Sequence, residues 1–487
     1  MGTALSTAER DFLQALSNVV FGNPFTPERM GLIRRLAPEA PGDLTSDREA
    51  LARIVAPKVA PFVRDLPSLG AEDRQLVEPA LLYVAYHRCV PQLDAHIERQ
   101  AEKGGEPLAA AFGEDAVREL AQMGFAEERA VRFFALFFQL RRAFFFIDRA
   151  LAGESEAMQR FRQALWNNMF THDMRGYETG LWNRMEDFST LLLGETGTGK
   201  GSAAAAIGRS IFIPYLGHER RFAANFAESF IAINLSQFPE TLIESELFGH
   251  RKGAFTGAID HHQGVFERCN AHGALFLDEI GEVAVPVQIK LLQVLQERTF
   301  TPLGGRDKKR FSGRVIAATN RPLAELRQGG RFREDFYYRL CSDVIHVPTL
   351  RERIRQSPGE LAQLVRLLLA RTSGEAGAGL HGYVLEVLER DVPADYAWPG
   401  NVRELEQAVR RVLLTGRYVP EQIVSGAHDG EDRLVEQLRA GNLTADELLA
   451  AYSAMLYQRL GSYAAVAERT RLDPRTSRKY VLSAKSG

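Results

Sequence analysis

Phe188-Ser189-Thr190-Leu191-Leu192-Leu193-Gly194-Glu195-Thr196-Gly197-Thr198-Gly199-Lys200 decides the fold. Six residues rich in apolar side chains run into a glycine-rich turn, and the alanine-rich stretch Ser202 to Ser210 that follows reads as a helix. Strand, loop and helix in that order are the context a P-loop needs. Its glycines let backbone N–H groups wrap phosphates at a helix N-terminus, and Lys200 is placed for the β and γ phosphates. Gly194, Glu195, Thr196, Gly197, Thr198, Gly199, Lys200, Gly201 and Ser202 are therefore the candidate nucleotide cradle. Gly201 stands where a general P-loop has a Ser or Thr on magnesium. A plain strand-to-helix turn has no use for the lysine.

Working outward, Leu275-Phe276-Leu277-Asp278-Glu279 is an apolar strand that ends in two carboxylates. A bare Asp-Glu at a strand end is common. After a P-loop it places Asp278 to hold Mg²⁺ through water and Glu279 to orient and polarise an attacking water. Beyond the Phe188 to Leu193 strand, buried strands are expected at Phe230 to Asn234, Gly273 to Leu277, Arg314 to Thr319 and Val344 to Val347, so the middle of the chain reads as an α/β unit on a mostly parallel sheet. Beyond Leu350 the pattern turns helical through Gly359 to Thr372 and Val402 to Thr415, which predicts a small helical lid. Asn320, after the strand ending Ala318-Thr319, is on its own an ordinary turn residue. Arg333 and Arg339, beside Glu334 and Asp335, are on their own a salt-bridged helix face.

Between the two halves of the nucleotide site lies Glu244-Ser245-Glu246-Leu247-Phe248-Gly249-His250-Arg251-Lys252-Gly253-Ala254-Phe255-Thr256-Gly257-Ala258. It contains nothing that holds a nucleotide. Gly253 and Gly257 bracket Phe255 and Thr256, so a flexible loop carries a large apolar side chain at its tip, which is costly unless a partner covers it. The block resembles the GAFTGA loop of the sigma-54-dependent transcription activators, the bacterial enhancer-binding proteins. The resemblance extends from about Asp187 to Thr415 through six motifs in order.

It implies an AAA+ ATPase fold that uses ATP and Mg²⁺ and works as a homo-oligomer, from dimer to hexameric ring, with nucleotide between subunits. By the same resemblance Asn320 is a sensor of the γ-phosphate, and Arg333 and Arg339 are fingers offered to a neighbouring subunit. Arg403, in Trp398-Pro399-Gly400-Asn401-Val402-Arg403-Glu404-Leu405, is a second sensor, and Asn234 restrains Glu279. Gly253, Ala254, Phe255, Thr256, Gly257 and Ala258 touch sigma-54 RNA polymerase, and a second loop near Thr301-Pro302-Leu303-Gly304-Gly305 moves with them. The family commonly has an acidic residue at the place of Gly201, so this position departs from both patterns. The function implied is ATP-driven opening of sigma-54 promoters. The alternative from another class is a DNA-binding AAA+ regulator or remodelling ATPase with a different client, in which loss of loop residues is expected.

The 487 residues suggest about three domains. Sixty Lys plus Arg against 62 Asp plus Glu leave no global charge for nucleic acid. Three dispersed cysteines, Cys89, Cys269 and Cys341, exclude a disulfide framework and a spaced zinc site and fit a reducing compartment. With no apolar window of membrane length, a bacterial cytoplasmic protein is expected.

Residues 1–165 carry helical periodicity without strands, broken near Gly22 to Pro27 and Gly104 to Pro107. Phe133-Phe134-Ala135-Leu136-Phe137-Phe138 and Phe144-Phe145-Phe146 read as a helix buried on two sides. Without the strands and acidic pocket of a receiver, this region is expected to be an all-helical regulatory domain answering to a small molecule or a protein. Trp166, Trp182 and His172-Asp173 in the join read as packing. The expected divisions are an α/β ATPase subdomain at 166–349, a lid at 350–418, a linker at 419–440 and a helix-turn-helix at 441–487.

In that last segment helices are expected at Leu443 to Leu460, Tyr463 to Thr470 and from Asp473-Pro474 to near Leu482. From Arg469 to Gly487 six basic residues (Arg469, Arg471, Arg475, Arg478, Lys479, Lys485) face one acid, Asp473, a net of +5. Arg475, Ser477, Arg478 and Lys479 are the candidates to reach upstream enhancer DNA.

Overall fold

Five short apolar strands organise the chain: β1 (Thr190–Leu193), β2 (Phe230–Asn234), β3 (Ala274–Asp278), β4 (Arg314–Thr319) and β5 (Asp343–His346). They pair in parallel in the order β2-β3-β4-β1-β5, with Asn234 beside Asp278 and Leu193 between Thr319 and His346. The computed structural model from which this fold is taken describes residues 5–39, 44–63, 66–328, 332–420 and 443–483, with Leu434 and Leu438. Most of the expected linker at 419–440, together with Lys485, lies outside the described residues.

A parallel sheet has to be covered on both faces, and successive side chains on a strand point to opposite ones. Leu191, Leu193, Leu275, Leu277, Val315 and Ala317 face a core built from the helices that follow the strands, among them α9 (Glu240–Phe248), α10 (Val285–Glu297) and α11 (Glu334–Leu340). Leu192, Phe276, Ile316 and Ala318 point the other way, onto the P-loop helix α8 (Lys200–Gly208) and the N-terminal helices. The α/β core expected from the sequence is present.

Those N-terminal helices are α1 (Thr7–Phe21), α2 (Pro27–Leu36), α3 (Leu44–Val59), α4 (Ala71–Lys103), α5 (Phe112–Gln122), α6 (Glu127–Ala150) and α7 (Glu156–Phe170). Ser6 and Glu9 close a capping box at the start of α1, which fixes its first turn. The aromatic run becomes the two-sided buried helix α6. Phe138 stacks on Phe222 at 3.8 Å, and Phe134 meets Tyr215 edge-on at 4.9 Å. Phe222 and Tyr215 belong to a small hairpin beyond α8, so α6 is joined to the ATPase fold by ring contacts.

The expected division at residue 165 falls inside α7. Contacts group Met1–Tyr418 as one compact unit and Val419–Gly487 as another. The N-terminal helices and one sheet face share a single hydrophobic core. Periodicity registers the change from helix to strand at 188, but it does not register that the apolar faces of the two regions cover each other.

Polar groups fasten the same interface. Arg142, fully buried on α6, donates to the carbonyls of Arg209 (2.6 Å) and Ile211 (2.7 Å) just past the end of α8. Gln139 donates to the carbonyl of Ser210 at 3.0 Å. Burial holds the Arg142 guanidinium down to about 9, which still leaves it charged at neutral pH and able to complement the negative end of a helix. Asn168 on α7 bridges the starts of three strands, bonding Thr190 (2.9 Å), Asp343 (2.6 Å) and Arg314 (2.9 Å).

The lid comprises α12 (Leu350–Gln356), α13 (Gly359–Ser373), α14 (His381–Asp391) and α15 (Asn401–Thr415) around its own core. Tyr418 lies parallel to Trp398 and ends that core. The lid is tied to the α6–α7 turn by a buried ion pair. Arg353 Nε donates to Glu360 at 2.6 Å, and the other Glu360 oxygen accepts from the backbone N–H groups of Glu154 (2.9 Å) and Ser155 (3.1 Å).

The C-terminal unit packs α16 (Ala445–Leu460), α17 (Tyr463–Thr470) and α18 (Pro474–Ser483) around Leu456, Val466 and Val481. Gly461 and Arg471, both with positive φ, make the two turns. One expected DNA residue is corrected here. Ser477 is fully buried against Thr470, so it reaches no base, because on α18 it shares with Val481 the face that packs on the neighbouring helices. Arg475, Arg478 and Lys479 are exposed.

Glu360→Gln leaves Arg353 charged and buried without its counterion. The expected cost is about 3 kcal/mol, read as a lower urea midpoint for unfolding of the larger unit. An unchanged midpoint contradicts a structural role for this pair.

Candidate nucleotide site and effector loop

The C-terminal ends of β1 to β4 bring the candidate residues to one edge of the sheet, where ligands bind in open α/β folds. Gly197 and Gly199 have φ of +79° and +101°, which glycine adopts at little cost. At Gly197 a side chain would also strike the carbonyl of Gly400 in the lid. Thr198 donates to the carbonyl of Glu195 at 2.8 Å, which closes the turn. Lys200 opens α8 and reaches back over the loop, donating to the carbonyls of Gly194 (2.8 Å) and Glu195 (3.1 Å). Burial lowers the pKa of its ammonium, with Glu279 and Asp278 acting in the opposite direction.

Gly201 is exposed and its neighbourhood is open, so a side chain there meets nothing. Packing therefore does not explain the departure at this position.

Asp278 ends β3 and Glu279 follows it directly. Glu279 adopts φ +57°, an uncommon conformation for a non-glycine residue, and its N–H donates to the Asp278 carboxylate at 3.1 Å. Burial raises the Glu279 pKa, and Lys200 opposes that rise. Asn320 donates to Thr196 Oγ1 at 3.2 Å, which sets it against the P-loop. Asn234 lines the same cavity, but its side-chain oxygen accepts from Ser236 N–H (3.0 Å) and Oγ (2.7 Å).

The cavity at this edge measures about 390 Å³ and joins two kinds of wall. Thr196 to Ser202, Asp278, Glu279, Arg403, Arg371 and Arg353 form a polar end. Leu151, Ala152, Met158, Phe161, Leu364 and Leu368 form an apolar one. A glycine-rich turn with lysine and arginine beside an apolar slot fits a nucleoside triphosphate.

Asn401 was legible only as part of a motif. It is fully buried at φ +52° and its amide nitrogen donates to Glu195 (3.1 Å) and to the carbonyl of Thr196 (3.1 Å). Its oxygen accepts from Leu350 N–H at 2.8 Å. Arg351 grips Glu195 with both terminal nitrogens, and this pairing is the first cause of the lowered Glu195 pKa. Asn401 and Arg351 thus join lid to P-loop. Asn after Gly, a pairing that tolerates positive φ, was the available signal.

Arg333 caps the start of α11 and Arg339 lies in its last turn. Arg333 is paired with Asp335 (3.0 and 2.8 Å) at the surface, and Arg339 donates to the carbonyl of Leu295 at 3.0 Å. Neither lines the nucleotide cavity of its own chain.

The effector loop rises between α9 and the small helix Val265–Arg268, closed at its base by pairing of His250 with His262. Gly253 N–H donates to Ala258 at 2.8 Å and Ala258 N–H to Phe255 at 3.0 Å, so the tip folds on itself. Phe255 is 38% exposed and rests edge-on against His250 at 4.9 Å. The second loop is attached to this base. Arg251 N–H donates to Leu303 and Leu303 N–H to Gly249, both at 2.9 Å, and Gly304 lies against Ala254.

Residues 178–346 match the family described as Sigma-54 interaction domain. The chain is 38% identical over 281 residues to the sigma-54-dependent transcriptional activator SfnR of Pseudomonas putida, covering 56% of this chain and 70% of that protein. It is 41% identical over 262 residues to the DNA-binding transcriptional regulator NtrC of Azospirillum brasilense, and 40% identical over 272 residues to the Nif-specific regulatory protein of Azotobacter vinelandii. It spans 47% of each of these two. A crystal structure of NtrX from Brucella abortus aligns with 77% of this chain and 81% of its own at 20% identity and a TM-score of 0.41, a likeness too loose to bear on the reading.

Asn401→Gly keeps the backbone conformation and removes the bridge to Glu195 and Thr196. The expected outcome is ATP binding weakened about tenfold by calorimetry, in line with loss of a hydrogen bond to a charged group. Wild-type affinity contradicts the bridging role.

Proposed function

Because this chain belongs to the sigma-54-dependent transcriptional activators, we propose that it converts ATP hydrolysis into opening of promoters held by sigma-54 RNA polymerase. The observation that carries this reading is the complete Gly253 to Ala258 loop, with its half-exposed Phe255, bonded at its base to the second loop at Leu303. A remodelling ATPase with another client has no need to keep it.

In this reading the N–H groups of Gly197 to Lys200 and the Lys200 ammonium hold the phosphates, and Asp278 would hold a magnesium ion that offsets their charge. Glu279 accepts the proton of the attacking water, for which a carboxylate with a raised pKa is suited. Bound ATP supplies the free energy. Arg333 and Arg339 act on a neighbouring subunit, which makes hydrolysis depend on assembly into a ring. The Arg333–Asp335 pair is exposed and exchanges partners at little cost. Asn320 and Arg403 report the state of the phosphates to the core and the lid, and Asn234 turns from Ser236 toward Glu279 while ATP is bound.

The path from chemistry to loop runs through named contacts. The turn after Glu279 leads into α10, where Lys290 donates to Glu244 on α9 at 2.6 Å. Ser245, on the same helix, holds His250 at 2.7 Å, and His250 carries Phe255. A shift of the Glu279 turn therefore moves the base of the loop.

The C-terminal unit binds upstream enhancer DNA through Arg475, Arg478 and Lys479, and the N-terminal helices regulate the ATPase. Such a protein acts in the bacterial cytoplasm.

Phe255→Ala and Thr256→Ala are expected to retain ATPase activity within about twofold, as far as surface substitutions spare the site, while losing sigma-54 promoter opening in a transcription assay. Opening at the wild-type level by both variants would sink the reading. Arg333→Ala is expected to bind ATP normally and to lose turnover by about 10³-fold.

A further inference from the structure

A second cavity, of about 120 Å³, lies among the N-terminal helices and has no part in the reading above. Its walls are largely aromatic, with Tyr83, Tyr86, Phe133, Phe137, Phe144 and Trp166 prominent. Arg29 on α2 and Arg48 on α3 supply its two guanidinium groups. Arg29 is buried, its Nε donates to the carbonyl of Val19 at 2.7 Å, and one of its terminal nitrogens has no partner among the described residues. Among the described residues, Arg48 leaves its Nε and one terminal nitrogen unpartnered, and the buried indole N–H of Trp166 is unpartnered too.

Neither arginine forms an ion pair among the described residues. The acid that lines the cavity, Glu178, is already engaged by Arg129 and Arg132. Arg141 is taken by Asp94. Burial pushes His87 down to about 3, so it is neutral and adds no charge, and burial lowers Arg29 only to about 9, so it stays cationic. Arg48 lies over the Phe144 ring at 4.3 Å, a contact that offsets part of its desolvation but supplies no acceptor for its N–H groups. Two guanidiniums and an indole N–H facing an aromatic void form the complement of a small anion with a flat apolar body.

We propose that this cavity binds a small aromatic monocarboxylate, its carboxylate held by Arg29, Arg48 and the Trp166 N–H and its ring enclosed by the aromatic wall. The volume is close to that of apolar cavities that hold a single benzene ring. Arginine matches a carboxylate through paired N–H groups, and the aromatic faces supply the remaining contact.

The cavity also touches the ATPase. Tyr177 on its wall donates to Gln139 at 2.9 Å, and Gln139 donates to Ser210 at the end of the P-loop helix at 3.0 Å. Occupancy of the cavity therefore alters ATP turnover through α6. This consequence rests on the ATPase reading, whereas binding itself does not.

The test is calorimetry on the full chain without nucleotide, using benzoate, phenylacetate and salicylate and the corresponding amides. At least one acid is expected to bind at one per chain and its amide at least about tenfold more weakly. Arg29→Gln and Arg48→Gln are each expected to weaken the acid at least about tenfold. Should Arg29→Gln fail to fold, Arg48→Gln, on a less buried side chain, carries the test. Failure of all three acids to bind overturns the proposal, as does equal binding of acids and amides, or wild-type affinity in a folded Arg48→Gln variant. ATPase activity is measured in parallel. Binding that leaves turnover unchanged overturns the coupling through Gln139, and binding by a chain that hydrolyses no ATP counts against the proposed function while upholding the site.

Discussion

The parallel sheet needs cover on both faces, and the rest of the molecule follows from how the second face is covered. One face receives the helices between the strands, as in any α/β unit. The other receives the P-loop helix α8 together with α6 and α7, so the N-terminal helices complete the ATPase core. Arg142 and Gln139 grip the carbonyls at the far end of α8 while its first turn faces the phosphate site. A short helix held at both ends transmits displacement at one end to the other, because close-packed interiors do not absorb it. The N-terminal helices and the nucleotide helix share one core, so any displacement of the former reaches the latter through packing.

The nucleotide cavity has a second set of connections, toward the lid. Asn401 and Arg351 reach Glu195 in the P-loop, and Arg353 with Glu360 fixes the turn between α6 and α7 that forms the apolar end of the cavity. These contacts differ in kind. The Arg353–Glu360 pair is buried and hydrogen-bonded, and suits a fixed joint. The Glu195–Arg351 pair is partly exposed, and suits a contact that forms and breaks as the lid moves. The Arg333–Asp335 pair, exposed as well, is of the second kind.

Much of this was legible in the sequence for reasons of spacing. The P-loop, the Asp278-Glu279 strand end and the five strands were readable because each joins an apolar run to chemistry at its C-terminal end. The effector loop was readable because Phe255 between two glycines makes sense only against a partner. What was not legible depends on partners distant in the chain. Nothing near residue 165 shows that the helices before it cover the sheet after it. Ser477 sits among basic residues, yet the three-helix packing turns it inward against Thr470. Arg29 and Arg48 look like ordinary surface charge until the fold places them in an aromatic cavity. The glycine at 201 was visible as a departure, and the open space around it gives no structural reason for the choice.

The central claim is that ATP chemistry presents the Phe255 loop to sigma-54. The most direct measurement is capture of purified sigma-54 by the full chain with ADP and aluminium fluoride, which mimic the hydrolysis transition state, against ADP alone. The account predicts a stable complex in the first condition and none in the second. No capture in either condition, by protein that hydrolyses ATP, contradicts it and assigns the loop to another client.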